Sequence, residues 1–156
     1  MRKIAIFPGT FDPFTLGHFD LVQRGLGMFD EIIIALGVNA GKQHMFSLER
    51  RKHWITQVFE HEPRVGVQSY EGLTTRFAEQ VGAQFILRGL RNSQDFIYES
   101  QIAQVNADMA SGIQSVFIMS HSSHTMISST VIRDLIQLGG NYEKYIPSLI
   151  AQDIPS

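Results

Sequence analysis

The stretch Lys3-Ile4-Ala5-Ile6-Phe7-Pro8-Gly9-Thr10-Phe11-Asp12-Pro13-Phe14-Thr15-Leu16-Gly17-His18-Phe19-Asp20-Leu21-Val22 decides the fold. Its first five residues are mostly apolar and partly β-branched, the composition of a buried strand. Helical periodicity begins at Phe19. Between them lies Gly9 to His18, a turn with two glycines. A strand end, a turn and a helix start leave first-turn N–H groups without intrahelical partners, and such groups bind anions. A histidine at that helix start can also donate a ring N–H to a phosphate oxygen. The same ten residues read equally as a tight turn followed by a packed or surface histidine, and the rest of the chain has to choose.

Outward from this unit, strand-like segments fall at 3–7, 31–38, 64–69, 84–87 and 115–119. Helical spacing predicts helices over 17–29, 48–60, 74–81, 94–110 and 129–138,. The alternation predicts an α/β fold: a Rossmann-like, doubly wound sheet of five mainly parallel strands joined by right-handed crossovers. Gly139-Gly140-Asn141 and Pro147 predict a short C-terminal helical tail,. The length, 156 residues, suits a single domain over 1–156 with a full core,.

Composition narrows the class. The chain has no cysteine, which excludes disulfides, thiolate catalysis and Cys-based zinc sites and fits a reducing cytoplasm,. Thirteen Lys and Arg against fifteen Asp and Glu give a formal charge of -2, too balanced for non-specific nucleic-acid or membrane-surface binding,. No apolar run approaches the roughly 20 residues of a membrane span or forms a signal sequence, so a cytoplasmic location is expected.

The polar residues that follow the strands carry more information than the strand count. Thr10 and His18 follow the first, Lys42 the second and Gly72-Leu73-Thr74 the third. Arg88-Gly89-Leu90-Arg91 follows the fourth and His124 to Thr130 the fifth. In a parallel sheet these loops emerge at one edge, the carboxyl ends of the strands, where open α/β sheets bind ligands. The run Ile127-Ser128-Ser129-Thr130-Val131-Ile132-Arg133 opens an apolar-periodic helix with three hydroxyl residues. One of them suffices as an N-cap, and three with free helix N–H groups make a cradle for phosphate oxygens. Glu99 shares a helix face with Phe96, Ala103 and Asn106, so a salt bridge to an arginine and a nucleotide contact are both open for it. Asp95 is expected to cap that helix. His44, His53 and His61 read as surface or packing residues. Gly25 to Asp30 fails as a dinucleotide fingerprint because it ends a helix, and no GxxxxGK[ST] loop occurs,.

Thr15-Leu16-Gly17-His18 and Ile127 to Arg133 resemble the TxGH and ISSTxxR signatures of the nucleotidylyltransferase superfamily. Pro8 to Pro13, Lys42 with Met45-Phe46, Gly72-Leu73-Thr74, Arg88 to Arg91, Asp95-Phe96, Tyr98-Glu99 and Tyr145-Ile146-Pro147 narrow the resemblance to the phosphopantetheine adenylyltransferase family. That resemblance implies transfer of the adenylyl group of ATP to 4′-phosphopantetheine, giving dephospho-coenzyme A and pyrophosphate. His18, Lys42 and Arg88 would be catalytic, and Thr10, Lys42, Thr74 and Arg88 would bind the acceptor. Thr10, Phe11, His18, Gly89, Leu90, Arg91, Glu99, His124, Thr125, Met126, Ile127, Ser128, Ser129 and Thr130 would bind ATP, and Gly17 would let the chain approach closely. Mg²⁺ would arrive with ATP, with no protein metal site. Feedback by coenzyme A and a homohexamer are implied in the same way, with neither nucleic acid nor membrane as partner. Departures at Leu16, Gln43-His44, His124 and Ile127 read as tuning. A related adenylyl- or cytidylyltransferase with another phosphorylated acceptor, and a nucleotide-binding module without turnover, are the alternatives.

Overall fold

A computed structural model describes residues 1–39 and 41–155; positions 40 and 156, inside the expected 1–156 domain, lie outside the described residues. Five strands form one sheet: β1 (Ile4–Gly9), β2 (Glu31–Val38), β3 (Val65–Glu71), β4 (Phe85–Leu90) and β5 (Gln114–Met119). All pairings are parallel, in the order β3-β2-β1-β4-β5. Helices α1 (Leu16–Gly25), α2 (Leu48–Val58), α3 (Thr74–Gln80) and α4 (Ser93–Met109) make the crossovers, and α5 (Ser129–Gln137) follows β5. The tail is a 3₁₀ turn, Glu143–Tyr145, and α6 (Ser148–Asp153).

Alternate residues of each central strand feed two cores, as the period of two in a pleated strand requires. Ala5, Phe7, Ile32, Ile34, Leu36 and Leu87 face a large cluster with Trp54, Ile55, Ile132 and Ile150. Ile6, Ile33, Ala35 and Ile86 face a smaller one with Phe77, Ala78 and Ile113. Burial on both faces explains why the strands read as continuous apolar runs. The tail closes the larger core: Ile150 is fully buried, and the Trp54 Nε1–H donates to Asp153 at 2.8 Å.

Two boundaries differ from the sequence expectation. Helix α1 ends at Gly25, not near 29, where tight turns take over: Gly27 N–H donates to the Arg24 carbonyl at 3.2 Å and Met28 N–H to that of Gly25 at 2.9 Å. Strand β4 runs on through Arg88, Gly89 and Leu90, which were expected in a loop. Pairing with β5 at Arg88↔Phe117, Gly89↔Ile118 and Leu90↔Met119 holds them extended.

The order of the strands positions the site. From β1 the sheet grows one way through β2 and β3, then the other way through β4 and β5. Strand β1 pairs with β2 at six positions but with β4 at only two, Ala5↔Phe85 and Ile6↔Ile86. Beyond these the strands diverge and leave a crevice between Gly9 and Gly89, at the point of order reversal where such sheets bind ligands.

Candidate active site

Two chambers open at this crevice. The larger, about 720 Å³, is walled by Thr10, Lys42, His44, Tyr70 and Thr74. The smaller, about 290 Å³, is walled by Phe11, His18, Arg91, His124, Ser128 and Ser129. Pro8, Gly9, Arg88 and Glu99 line both.

His18 is built into the start of α1 by a reciprocal cap. Thr15 Oγ1 accepts from the His18 N–H at 3.3 Å, and His18 Nδ1 accepts from the Thr15 N–H at 3.0 Å. A ring nitrogen that accepts a backbone proton carries none of its own, so the neutral imidazole keeps its proton on Nε2. Burial, with Arg91 and Arg88 nearby, pushes the His18 pKa down to about 4. Phe11, Phe14 and Phe7 surround the ring at centroid distances of 5.0, 5.3 and 6.0 Å. The result is a neutral, oriented N–H donor in the wall of the smaller chamber.

The preceding turn is tight. Phe11 has φ +51°, the left-handed region, and its ring lies under Gly9, where a Cβ would stand 2.8 Å from Phe11 Cζ. A non-glycine residue in that region costs roughly 1–2 kcal/mol, sustained here by the aromatic packing. Gly17 makes no close approach to other parts of the chain. A Cβ there would sit 3.6 Å from Thr15 Oγ1 and 3.8 Å from His124 Cβ, ordinary contact distances, and would project between residues that wall the smaller chamber.

Arg88 and Glu99 form the partition between the chambers. Arg88 Nε and Nη2 donate to the two Glu99 carboxylate oxygens at 2.7 and 2.5 Å, and Nη1 donates to the Pro8 carbonyl at 2.9 Å. The salt bridge that was one of two readings of Glu99 is therefore present. Ala103 and Asn106 line the larger chamber on the same helix face, whereas Phe96 is exposed and edge-on to Phe117. Asp95 does not cap α4. Asn92 does, accepting from the Asp95 N–H at 2.9 Å. Asp95 instead accepts from Arg91 N and Nε at 2.9 and 3.1 Å; burial works against its ionised form, but these bonds prevail and hold the carboxyl below its usual range.

The hydroxyl run at α5 is largely committed within the chain. Ser128 caps the helix through Val131 N at 3.2 Å, and Ser129 Oγ donates to the Pro13 carbonyl at 2.8 Å. Thr130 Oγ1 accepts from Arg133, whose Nη1 donates to the Asp12 carbonyl at 2.7 Å. Ser128 still has its hydroxyl proton to give, and the first-turn N–H groups remain as donors.

These chemistries meet a clear comparison. The chain matches the cytidylyltransferase-like family over residues 6–135. It is 52% identical over 150 residues to the phosphopantetheine adenylyltransferase of Flavobacterium johnsoniae, covering 96% of this chain and 97% of that protein. The Bacteroides thetaiotaomicron enzyme of the same name is 46% identical over 94% and 96% of the two chains. The one from Synechococcus sp. strain CC9311 is 41% identical over 96% and 94%. The chain belongs to the phosphopantetheine adenylyltransferase family. A bifunctional NMN adenylyltransferase/ADP ribose pyrophosphatase from Francisella tularensis, 17% identical, shares the fold alone with a TM-score of 0.67; the match covers 94% of this chain and 45% of that one.

In this phosphopantetheine adenylyltransferase-family chain the expected acceptor residues converge: Thr10, Lys42, Thr74 and Arg88 all wall the larger chamber. Tyr70 fixes Thr74 through a 2.8 Å hydroxyl contact. Of the expected ATP residues, Phe11, His18, Gly89, Arg91 and Glu99 line the smaller chamber, as do His124, Ile127, Ser128 and Ser129. Thr10 lines the larger one, and Thr130 lines neither. Leu90 is buried, Met126 is 85% exposed, and Thr125 bonds its hydroxyl to the Ser122 carbonyl. None of those three walls a chamber, because β4 points Leu90 into the core and the turn before α5 points Met126 outward.

Sequence reasoning missed a buried polar knot. Asp12 is 2% exposed and accepts from Met45 N at 2.8 Å and Phe46 N at 3.0 Å. Arg51, also 2% exposed, donates to the Phe46 carbonyl at 2.9 Å and the Thr10 carbonyl at 2.6 Å. Arg51 sits in Leu-Glu-Arg-Arg-Lys-His, where a single arginine on the inner face carries no local mark. Asp12 had a signal, its place inside Gly9 to Pro13, but no local reason to be buried. Among the described residues, no group of three or more His, Asp or Glu is arranged to hold a metal, and no helix is long and apolar enough to cross a membrane.

Proposed function

We propose that this chain transfers the adenylyl group of ATP to 4′-phosphopantetheine, forming dephospho-coenzyme A and pyrophosphate. One observation carries the reading: two chambers of different chemistry share the Arg88–Glu99 wall at the order reversal of the sheet, in a chain of this family. An acceptor phosphate in the larger chamber and the α-phosphate of ATP in the smaller one are then neighbours. The acceptor oxygen is already ionised, so no general base is required. That oxygen forms a bond to the α-phosphorus as the bond to the bridging β-phosphate oxygen breaks, and pyrophosphate leaves with the electron pair. Catalysis rests on positioning and charge stabilisation. His18 Nε2–H donates to the α-phosphate, Lys42 and Thr10 hold the acceptor phosphate, and Arg91 with the N-terminus of α5 holds the nucleotide phosphates.

Mg²⁺ enters with ATP in this scheme. Glu99 and Asp95, the carboxylates beside the smaller chamber, are both bonded to arginines, so a phosphate- and water-held ion suits the site better than a protein-held one,. Coenzyme A, which carries the same pantetheine arm, is the expected feedback ligand of the larger chamber. Association into a homohexamer is supported by the exposed apolar residues of α4, among them Ile97, Tyr98 and Val105 at 60%, 64% and 55% exposure. The test is pyrophosphate release with ATP, Mg²⁺ and each of several phosphorylated acceptors. Release with 4′-phosphopantetheine is expected; release only with nicotinate mononucleotide or glycerol 3-phosphate, or none at all, overturns the reading.

A further inference from the structure

Beside Lys42 the larger chamber carries a histidine that the scheme above leaves unused. His44 lines the chamber with a side chain 17% exposed. Its Nδ1 is buried, makes no hydrogen bond, and lies 3.8 Å from Asp12 Oδ2. Asp12 is in turn held by the N–H groups of Met45 and Phe46, so carboxylate and imidazole are fixed against each other by consecutive residues of one loop. A carboxylate at that distance favours the ring proton on Nδ1, which leaves Nε2 as the ring's free polar edge. Among the described residues it bonds to nothing. We propose that His44 is a further binding residue for the phosphorylated acceptor, its Nε2 donating to an anionic group held beside Lys42, with a proton taken up as that group binds.

Charge explains the proton. The groups around the ring are Asp12 from the loop after β1, Arg51 from α2, Arg133 from α5 and Lys42 from its own loop. Burial, and then three cations against one carboxylate, hold His44 below the usual histidine range and so favour the neutral ring. An incoming phosphate supplies the missing negative charge and makes the imidazolium favourable. The inference rests on the larger chamber being the acceptor site.

Calorimetric titration with 4′-phosphopantetheine at about pH 6.5, in two buffers of different ionisation enthalpy, tests it. The proteins are the wild type, His44→Ala, His44→Gln and His61→Gln, whose side chain is 94% exposed. The free acceptor's phosphate titrates identically in every arm, so differences in proton uptake arise in the bound complex. His44→Ala is expected to weaken acceptor binding and raise its KM about tenfold, with the KM for ATP moving less than about twofold. His44→Gln, which keeps a donor, recovers part of the affinity but takes up fewer protons than the wild type; His61→Gln behaves as the wild type. Unchanged acceptor affinity in His44→Ala, equal losses for ATP and acceptor, or equal proton uptake in wild type and His44→Gln overturns the role of His44. Failure of the wild type itself to bind 4′-phosphopantetheine overturns the assignment of the chamber, and this proposal with it.

Discussion

His18 shows how one side chain acquires a chemical role from its neighbours. Acceptance from the Thr15 N–H settles which nitrogen keeps the proton, and burial beside Arg91 and Arg88 keeps the ring neutral above about pH 4. Nitrogen shifts in NMR should therefore report a neutral, Nε2-protonated ring throughout pH 5–8. His18→Ala should lower kcat at least about a hundredfold, with a much smaller change in ATP affinity, as loss of a transition-state donor does; equal losses would mean a binding or structural role. The same pKa makes a stability prediction. The folded value lies below the unfolded one of about 6.5, so between them the unfolded chain binds more protons. The contribution of His18 is complete above pH 6.5 and disappears as pH falls through 4, on the order of 3 kcal/mol. Denaturant titrations at pH 7 and 4.5 should show a smaller difference in His18→Ala than in the wild type.

At the scale of elements, α2 braces the site without lining either chamber. Its buried face presents Arg51, Trp54 and Ile55, and Arg51 joins the loop after β1 to the loop before α2. Arg51→Met keeps much of the bulk but leaves Asp12, the Thr10 carbonyl and the Phe46 carbonyl without their cation. Loss of a buried charged partner of this kind costs roughly 2–4 kcal/mol. Urea denaturation should show that loss, and the KM for the acceptor should rise because Thr10 is no longer held. A wild-type midpoint would mean water replaces the guanidinium.

The elements also show where the sequence was legible. Strands β1 and β2 and helices α2, α3 and α5 lie within two residues of their expected bounds, because apolar runs and caps such as Ser47 and Ser128 are local signals. The extension of β4 through Arg88 was hidden, since a charged residue and a glycine are held in strand geometry only by pairing with β5. The three hydroxyls of α5 were legible as a helix start, but not as a fastener. Ser129 meets Pro13 across 116 positions of sequence, a contact with no local trace.

At the scale of the whole molecule, α4 is the element the isolated chain leaves least covered. Ile97, Tyr98, Val105 and Met109 are about half or more exposed, while Glu99, Ile102, Ala103 and Asn106 of the same helix line the larger chamber. Several large apolar side chains left exposed along one helix mark a surface that packs against a partner. Sedimentation should find an assembly of copies, a hexamer on the proposed reading, and Tyr98→Glu should shift it to smaller species. Because α4 also carries Glu99, that dissociation should lower activity as well; a fully active monomer would uncouple assembly from the site.

The sequence alone was enough for the alternating α/β order, the gathering of cations and hydroxyls at the carboxyl ends of the strands and the two signatures 110 residues apart. Those features rest on local periodicity and on residue types whose chemistry travels with them. Only the tertiary structure decided that β1 and β4 part after two paired positions, that Arg88 and Glu99 wall two chambers at once, and that a buried carboxylate stands against His44. The first and the last are contacts between segments far apart in the chain, and Arg88 meets Glu99, eleven positions on, only because α4 packs back on β4. Long-range packing and low-dielectric burial, which leave no mark on neighbouring residues, keep His18 neutral, whereas its local cap with Thr15 orients the ring.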